Sequence, residues 1–270
     1  MPCTCRAIGP LPVFILGSGH SGSTLLDRMI GSSPGFCSTG ELVERPRIDE
    51  RADVDDRCTC GAPILHCDFW VAVRDGGDID GSASEDVAAT IGRIGAVAGA
   101  RFVVDSSKRP WRLLELIRAG LDVRVIHLVR DGRAVAFSGD KFGRSYPTLV
   151  WRWAWTQSSA RRILRRAAVP EVTVRYEDLA RHPETELARI SEEVLDGMLT
   201  PDAWRRPAAE PQHLLSGNAM RFRSLSAVEL DVRFLKGLSP WEWWVGSALA
   251  PMTLRAYGYP LRRSNYLAHV

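Results

Sequence analysis

Residues 13–26, VFILGSGHSGSTLL, constrain the fold more than any other part of this sequence. Residues 13–16 are a short apolar run of the kind that forms a buried strand. Gly17, Gly19 and Gly22 follow and let the backbone turn sharply and come close to a ligand. Over Ser23–Ile30 the spacing predicts a helix, with Leu25, Leu26, Met29 and Ile30 on one face and Asp27 and Arg28 off it. Strand, turn and helix start bring free N–H groups, several hydroxyls and the positive end of a helix to one point. That is an anion site, and phosphate is its usual occupant.

The spacing Gly17-x4-Gly22 is that of a nucleoside-triphosphate P-loop, but Ser23 stands where such a loop carries Lys, with Thr24 after it. The loop therefore lacks the point charge that steadies a transferring γ-phosphate. Further strands are expected at 36–39, 101–105, 123–129 and Glu171–Arg175, and helices at 85–98, 111–119, 147–168, 185–195 and 241–257. Residues 123–129, VRVIHLV, are nearly all apolar, as in a strand covered on both faces of a parallel sheet. The fold class is α/β, a single P-loop-like domain with a central, mainly parallel sheet flanked by helices. Trp151 and Trp155 share one helix face and read as core, with the wall of an acceptor cleft as the other reading. The last helix would pack Trp244, Leu249 and Leu254.

With 270 residues, 45% apolar and 25% charged, the composition is that of a globular protein. No apolar run approaches the roughly 20 residues of a membrane span. The first twelve residues lack a basic region followed by an apolar core, so no secretory leader is expected and the chain reads as cytoplasmic. A net charge of +3, from 35 basic and 32 acidic residues, is too balanced for a nucleic-acid binder. Residues 1–11 read as a tail and 12–270 as the domain, with an irregular Cys-containing insertion at 44–82. In it, Cys58, Cys60 and Cys67 lie near His66, a set that invites a zinc reading. The spacing is not that of paired C-x2-C knuckles, so buried free thiols come first, then a metal or redox clip. Cys3 and Cys5 are possible further ligands, and the expectation is no metal.

Gly40-Glu41 follows the strand at 36–39, which makes Glu41 a candidate general base, against the plainer reading of a solvated loop carboxylate. Asp105, at the end of a strand, resembles a Walker B acid, while Ser106, Ser107 and Lys108 behind it suit an anion contact. Arg130 stands at the carboxyl end of the 123–129 strand, where open α/β sheets bind ligands. The long Pro-, Arg- and Gly-rich stretch 201–224 holds His213 and Arg221 and is expected to be a loop.

On these segments the chain resembles the sulfotransferases that use 3′-phosphoadenosine-5′-phosphosulfate. GSGHSGSTLL is similar to their 5′-phosphosulfate loop, LVRDGRAVAFS to their 3′-phosphate motif, and Gly40-Glu41-Leu42 to the segment that supplies a catalytic Glu in the protein-tyrosine branch. DSSK, at 105–108, is similar to bacterial members, and the polar turn at Tyr176-Glu177-Asp178-Leu179 is typical of the family. The resemblance implies that Gly19, His20, Ser21, Gly22, Ser23 and Thr24 hold the phosphosulfate, and that Arg130 and Ser138 hold the 3′-phosphate. It implies that loop 201–224 closes over the nucleotide with Arg221 contributing. It makes Glu41 the base; His20, which stands where the family has Lys or Arg, is the rival base, followed by His213, and Lys108 and His20 otherwise read as cations offsetting charge on the leaving oxygen. The implied reaction moves a sulfuryl group to a hydroxyl or amine of a small-molecule, glycan, lipid or peptide acceptor, without a metal. The alternatives are a Mg²⁺-dependent P-loop kinase or NTPase using Asp105, and a nucleotide-binding protein without chemistry.

Overall fold

The computed structural model describes residues 9–44, 57–75, 87–140, 143–206, 211–225 and 228–267. In chain order the strands and helices are β1 (Leu11–Gly17), α1 (Ser23–Ile30), β2 (Phe36–Ser38), α2 (Asp68–Asp75), α3 (Val87–Ala98), β3 (Phe102–Lys108), α4 (Pro110–Arg118), β4 (Arg124–Val129), α5 (Gly132–Asp140), α6 (Tyr146–Ala167) and β5 (Glu171–Arg175). Then come α7 (Tyr176–Arg181), α8 (Pro183–Val194), α9 (Arg233–Gly237), α10 (Pro240–Leu249), α11 (Pro251–Ala256) and α12 (Arg263–Leu267). Short 3-10 turns at Leu42–Glu44, Ile64–His66, Ala203–Arg205 and Ala219–Phe222 punctuate the connections.

The five strands form one sheet in the order β2-β3-β1-β4-β5, every neighbouring pair parallel. β1 is buried along its whole length because both of its faces are covered. Val13 and Ile15 point into a core shared with Leu25, Leu26 and Ile30 of α1 and with Leu187 and Ile190 of α8. Phe14 and Leu16 point into the opposite core, with Ile91 and Ile94 of α3 and Leu113 and Leu116 of α4. The chain steps from β1 towards β3 on one side and β4 on the other, so a crevice opens beyond the carboxyl end of β1. The glycine- and serine-rich loop lies there.

Several expectations change. The stretch 44–82, read as irregular, holds the helix α2, which buries Trp70 and Val73. β3 runs on to Lys108, so Ser106, Ser107 and Lys108 belong to the strand instead of following it. Its pairing with β1 shifts register between Phe14↔Asp105 and Leu16↔Lys108, and Lys108 takes a left-handed φ of 66°. The helix expected over 241–257 breaks in two before Pro251, whose ring cannot continue the preceding helix. Leu254 is buried, but Trp244 and Leu249 face outward, and Trp243 takes the core place. Trp151 and Trp155 are 58% and 59% exposed; Trp153 is the buried one, lying where a Cβ on Gly132 would meet its ring at 2.4 Å. Among the described residues no helix is long and apolar enough to cross a membrane.

Candidate active site

Two of the loop glycines are required by the backbone. A Cβ at Gly17 would stand 2.5 Å from the carbonyl oxygen of Leu128 on β4, and one at Gly22 would stand 2.6 Å from the Tyr176 ring. Gly22 also has φ 88°, a left-handed value that costs a residue with a Cβ about 1–2 kcal/mol. Gly22 caps α1 without any side-chain hydrogen bond, so the first-turn amides are left for a ligand. The Ser21 hydroxyl is buried and has no hydrogen-bond partner among the described residues. Thr24 Oγ1 accepts from the amide of Asn218 at 3.3 Å, which lays the C-terminal loop on the start of α1.

Beside the loop the ends of β2 and β3 hold an ion pair. Lys108 Nζ lies 2.5 Å from Glu41 Oε1, both side chains mostly buried. Gly40, at φ 76°, turns the chain so that its carbonyl accepts from Ser106 N at 2.9 Å, while Val43 N donates to Ser107 Oγ at 3.1 Å. Glu41 is thus a held carboxylate and not a loosely solvated one. His20 is near enough to feel this pair: burial and the charges of Arg130 and Lys108 lower its pKa, with Glu41 acting the other way. These surroundings work against the expected cationic role of His20 and favour a neutral imidazole.

Arg130 leaves the end of β4 and is buried. Nη1 donates to His20 O at 3.0 Å and Nη2 to Asp231 O at 3.1 Å, the Asp231 carboxylate lies 3.1 Å away, and the guanidinium stacks 4.5 Å above the Tyr176 ring. Hydrogen bonds from Arg233 and Arg130 outweigh burial and hold the Asp231 carboxyl well below the usual range. Ser138 sits half-buried on α5, next to Gly139, where a Cβ would meet the His20 ring at 3.8 Å. Arg221 bonds to Gly217 O and Arg57 O and packs on Phe222; with Arg28 and Arg205 it lines a cavity of about 500 Å³. It shares none of these partners with Arg130.

The Walker B reading loses its acid. Asp105 is fully buried, one oxygen accepting from Ser107 N and Oγ and the other from Arg112 Nε at 3.3 Å. Asp27, read from the sequence as lying off the buried face, is fully buried as well. Its Oδ2 accepts from Ser106 Oγ at 2.7 Å, Ser38 Oγ donates to its backbone carbonyl at 2.6 Å, and burial pushes the carboxyl up to about 6, with Asp105 adding to the rise. It ties α1 to the segments that carry Glu41 and Lys108. Asp27 and Asp231 are residues sequence reasoning missed at this site, and so is the place of Tyr176, noted only as part of a polar turn, under Arg130. Their signals were weak: a polar residue on an apolar helix, an aromatic in a polar turn, and a lone acid some hundred residues from its arginine.

A family model described as "Sulfotransferase family" matches residues 12–194, more than half of the chain. This chain belongs to the sulfotransferase family. The match starts at β1 and takes in the loop, Glu41, Lys108 and the Arg130–Ser138 segment of this family member. Two solved structures share its fold. One is the sulfotransferase domain of the olefin synthase of Synechococcus PCC 7002, with TM-score 0.52, 23% identity, and 98% of this chain and 95% of that chain covered. The other is sulfotransferase STF9 from Mycobacterium avium, with TM-score 0.51, 13% identity, and 93% and 78% covered. No curated protein matches the chain. Membership of the family supports a transferase.

Proposed function

We propose that this chain moves a sulfuryl group from 3′-phosphoadenosine-5′-phosphosulfate to a hydroxyl or amine of its acceptor, in the cytoplasm. The observation that carries the reading is the convergence of Glu41, Lys108, His20 and Arg130 at the mouth of a P-loop-like turn without the P-loop lysine. The buried, unpartnered Ser21 hydroxyl and the uncapped first turn of α1 suit the anionic end of such a donor. Bound there, the nucleotide supplies the sulfuryl group and a phosphate leaving group. Arg130 and Ser138 suit the 3′-phosphate; Asp231, whose carboxylate now pairs with Arg130, would give way to it.

The chain's own groups then have distinct work. Glu41 takes the proton of the acceptor hydroxyl as the new S–O bond forms. Lys108, paired with Glu41 in this form, is placed to turn towards negative charge that builds on the leaving oxygen, which leaves Glu41 free to accept that proton. A neutral His20 contributes one N–H donor to the same oxygens, and its pKa rises once an anion faces it. With both Asp105 oxygens engaged, the kinase or NTPase alternative lacks its metal acid. The test uses radiolabelled donor and a cell extract as the source of acceptors, with label transfer and donor affinity measured separately. General-base catalysis contributes roughly 10²–10⁴-fold, so Glu41→Gln cuts transfer by about that factor and leaves donor affinity nearly unchanged. Near-normal transfer by the variant would remove the base from this position.

A further inference from the structure

We propose that Cys58, Cys60, Cys67 and His213 form a structural zinc site that fastens the C-terminal loop to the cysteine-bearing insertion. The four ligand atoms all lie within 4.8 Å of one another. Cys58 Sγ and Cys67 Sγ stand 3.5 and 3.3 Å from His213 Nδ1, and Cys60 Sγ stands 3.6 Å from Cys67 Sγ. A zinc tetrahedron with its usual bond lengths has edges of about 3.8 Å between sulfurs and about 3.6 Å between sulfur and nitrogen. Three of the six edges are therefore within about 0.3 Å of a zinc shell, and none exceeds 4.8 Å, so closing on the ion asks for a shift of about 1 Å at most. Three thiols and one imidazole suit zinc among the common divalent ions, whereas magnesium and calcium take oxygen ligands. Four protein ligands, with Cys58 and Cys67 fully buried, make a closed site of the structural kind.

The surroundings are built to hold those ligands. Gly61 at φ 95° closes a tight turn in which Cys58 N donates to Ala62 O and Gly61 N to Cys58 O, both at 2.9 Å. His213 is fixed from both sides. The Phe69 ring stacks on its imidazole at 4.7 Å and 6°, and Trp70 Nε1 donates to its carbonyl at 3.1 Å. Thr59 Oγ1 donates to Gln212 O and accepts from Leu214 N at 2.9 Å. The histidine expected from sequence, His66, is not in the cluster; His213 comes from 146 residues beyond Cys67.

The position gives the site its consequence. Two residues past His213, Leu215 N donates to Thr39 O at 2.8 Å, and Ser216 passes so close to Gly40 that a Cβ there would meet its carbonyl oxygen at 2.3 Å. Asn218 then bonds to Thr24 in the anion loop. A metal at His213 would thus anchor the strand of loop that runs past Gly40, the residue before Glu41, to the start of α1.

The experiment measures metal in the full-length protein purified without chelator. We expect about one zinc per chain, and, after exchange with Co²⁺, the visible bands of tetrahedral cobalt with thiolate charge transfer. Cys67→Ser should lower metal affinity 10–100-fold or more, by about the loss seen when ligand shells are disturbed. His213→Cys, which keeps four ligands, should retain metal where His213→Ala does not. Chelation should lower the Tm of the parent protein and leave that of Cys67→Ser unchanged. Protein from zinc-replete cells with less than about 0.1 zinc per chain and no cobalt spectrum would overturn the site, as would a disulfide among these cysteines in the native protein. Metal content is read without donor or acceptor, so its failure leaves the sulfuryl-transfer reading standing, and the reverse holds too.

Discussion

Arg130 illustrates how much a single side chain can be asked to do. It is held by the His20 carbonyl, the Tyr176 ring and Asp231, an acid that occupies the guanidinium much as a phosphate would. A charge-assisted hydrogen bond is worth about 1.5–3 kcal/mol, so Arg130→Ala should weaken adenosine 3′,5′-bisphosphate by about ten- to a hundredfold and 5′-AMP hardly at all. Asp231→Ala should act in the opposite direction and tighten the bisphosphate; calorimetric titration of the two nucleotides reads both, and equal losses for both ligands in Arg130→Ala would remove the 3′-phosphate from this residue. Asp27 makes a second, separate prediction. Its folded pKa of about 6 lies above the ordinary 3.8, so the folded state holds the proton more tightly than the unfolded one. Stability therefore falls as pH rises from the ordinary value to about 6 and is level above it. Relative to the parent, Asp27→Asn should gain on the order of 2 kcal/mol between about pH 4.5 and pH 7.5; urea titrations at both pH values check it, and a pH-independent difference would mean that Asp27 titrates normally.

The loop between β1 and α1 shows what glycine contributes at the level of an element. Gly22 has both the left-handed φ and the Tyr176 ring against it, whereas a Cβ at Gly19 would meet nothing within 4 Å. Gly22→Ala should cost about 2 kcal/mol or more and lower Tm by roughly 4–8 °C. Gly19→Ala should stay within about 0.5 kcal/mol of the parent, and equal effects would mean that the loop is not held as described. The strand–loop–helix unit was legible because its signal is local: an apolar run, glycines at the turn, an amphipathic helix over Ser23–Ile30 as observed. β5 likewise runs from Glu171 to Arg175 as the sequence suggests. What failed was set by tertiary context. Trp151 and Trp155 share a face, but that face looks outward, because Trp153 is the residue that meets the bare backbone at Gly132. No periodicity reports which of two apolar faces a neighbouring glycine will receive.

For the molecule as a whole, the site is an assembly of distant segments on a parallel sheet whose strand order reverses at β1. The order β2-β3-β1-β4-β5 brings Glu41, Lys108 and Arg130 to one crevice from three strand ends. Each was readable as a candidate from its place after an apolar run. Their pairings were not: Asp231 stands in no local pattern, and although Tyr176 and His213 were noted, only the folded chain sets Tyr176 and Asp231 against Arg130 and His213 against the cysteines. A buried pair beneath the β4–α5 turn shows the same logic. Asp131 and Arg133 are both fully buried, and Arg133 stacks 3.9 Å over Trp243 and bonds to Pro260 O at 2.9 Å, so the C-terminal helices fix the turn that carries Arg130. We propose that this turn and the glycine loop together bind a 3′-phosphorylated adenine nucleotide without Mg²⁺. A thermal-shift titration with adenosine 3′,5′-bisphosphate, ADP and ATP, each with and without Mg²⁺, tests it most directly. At a hundredfold excess over Kd the bisphosphate should add about 2.7 kcal/mol and raise Tm by roughly 5–10 °C, with or without Mg²⁺, and by more than either ADP or ATP. A larger shift with ATP that requires Mg²⁺ would mean that the loop holds a nucleoside triphosphate instead.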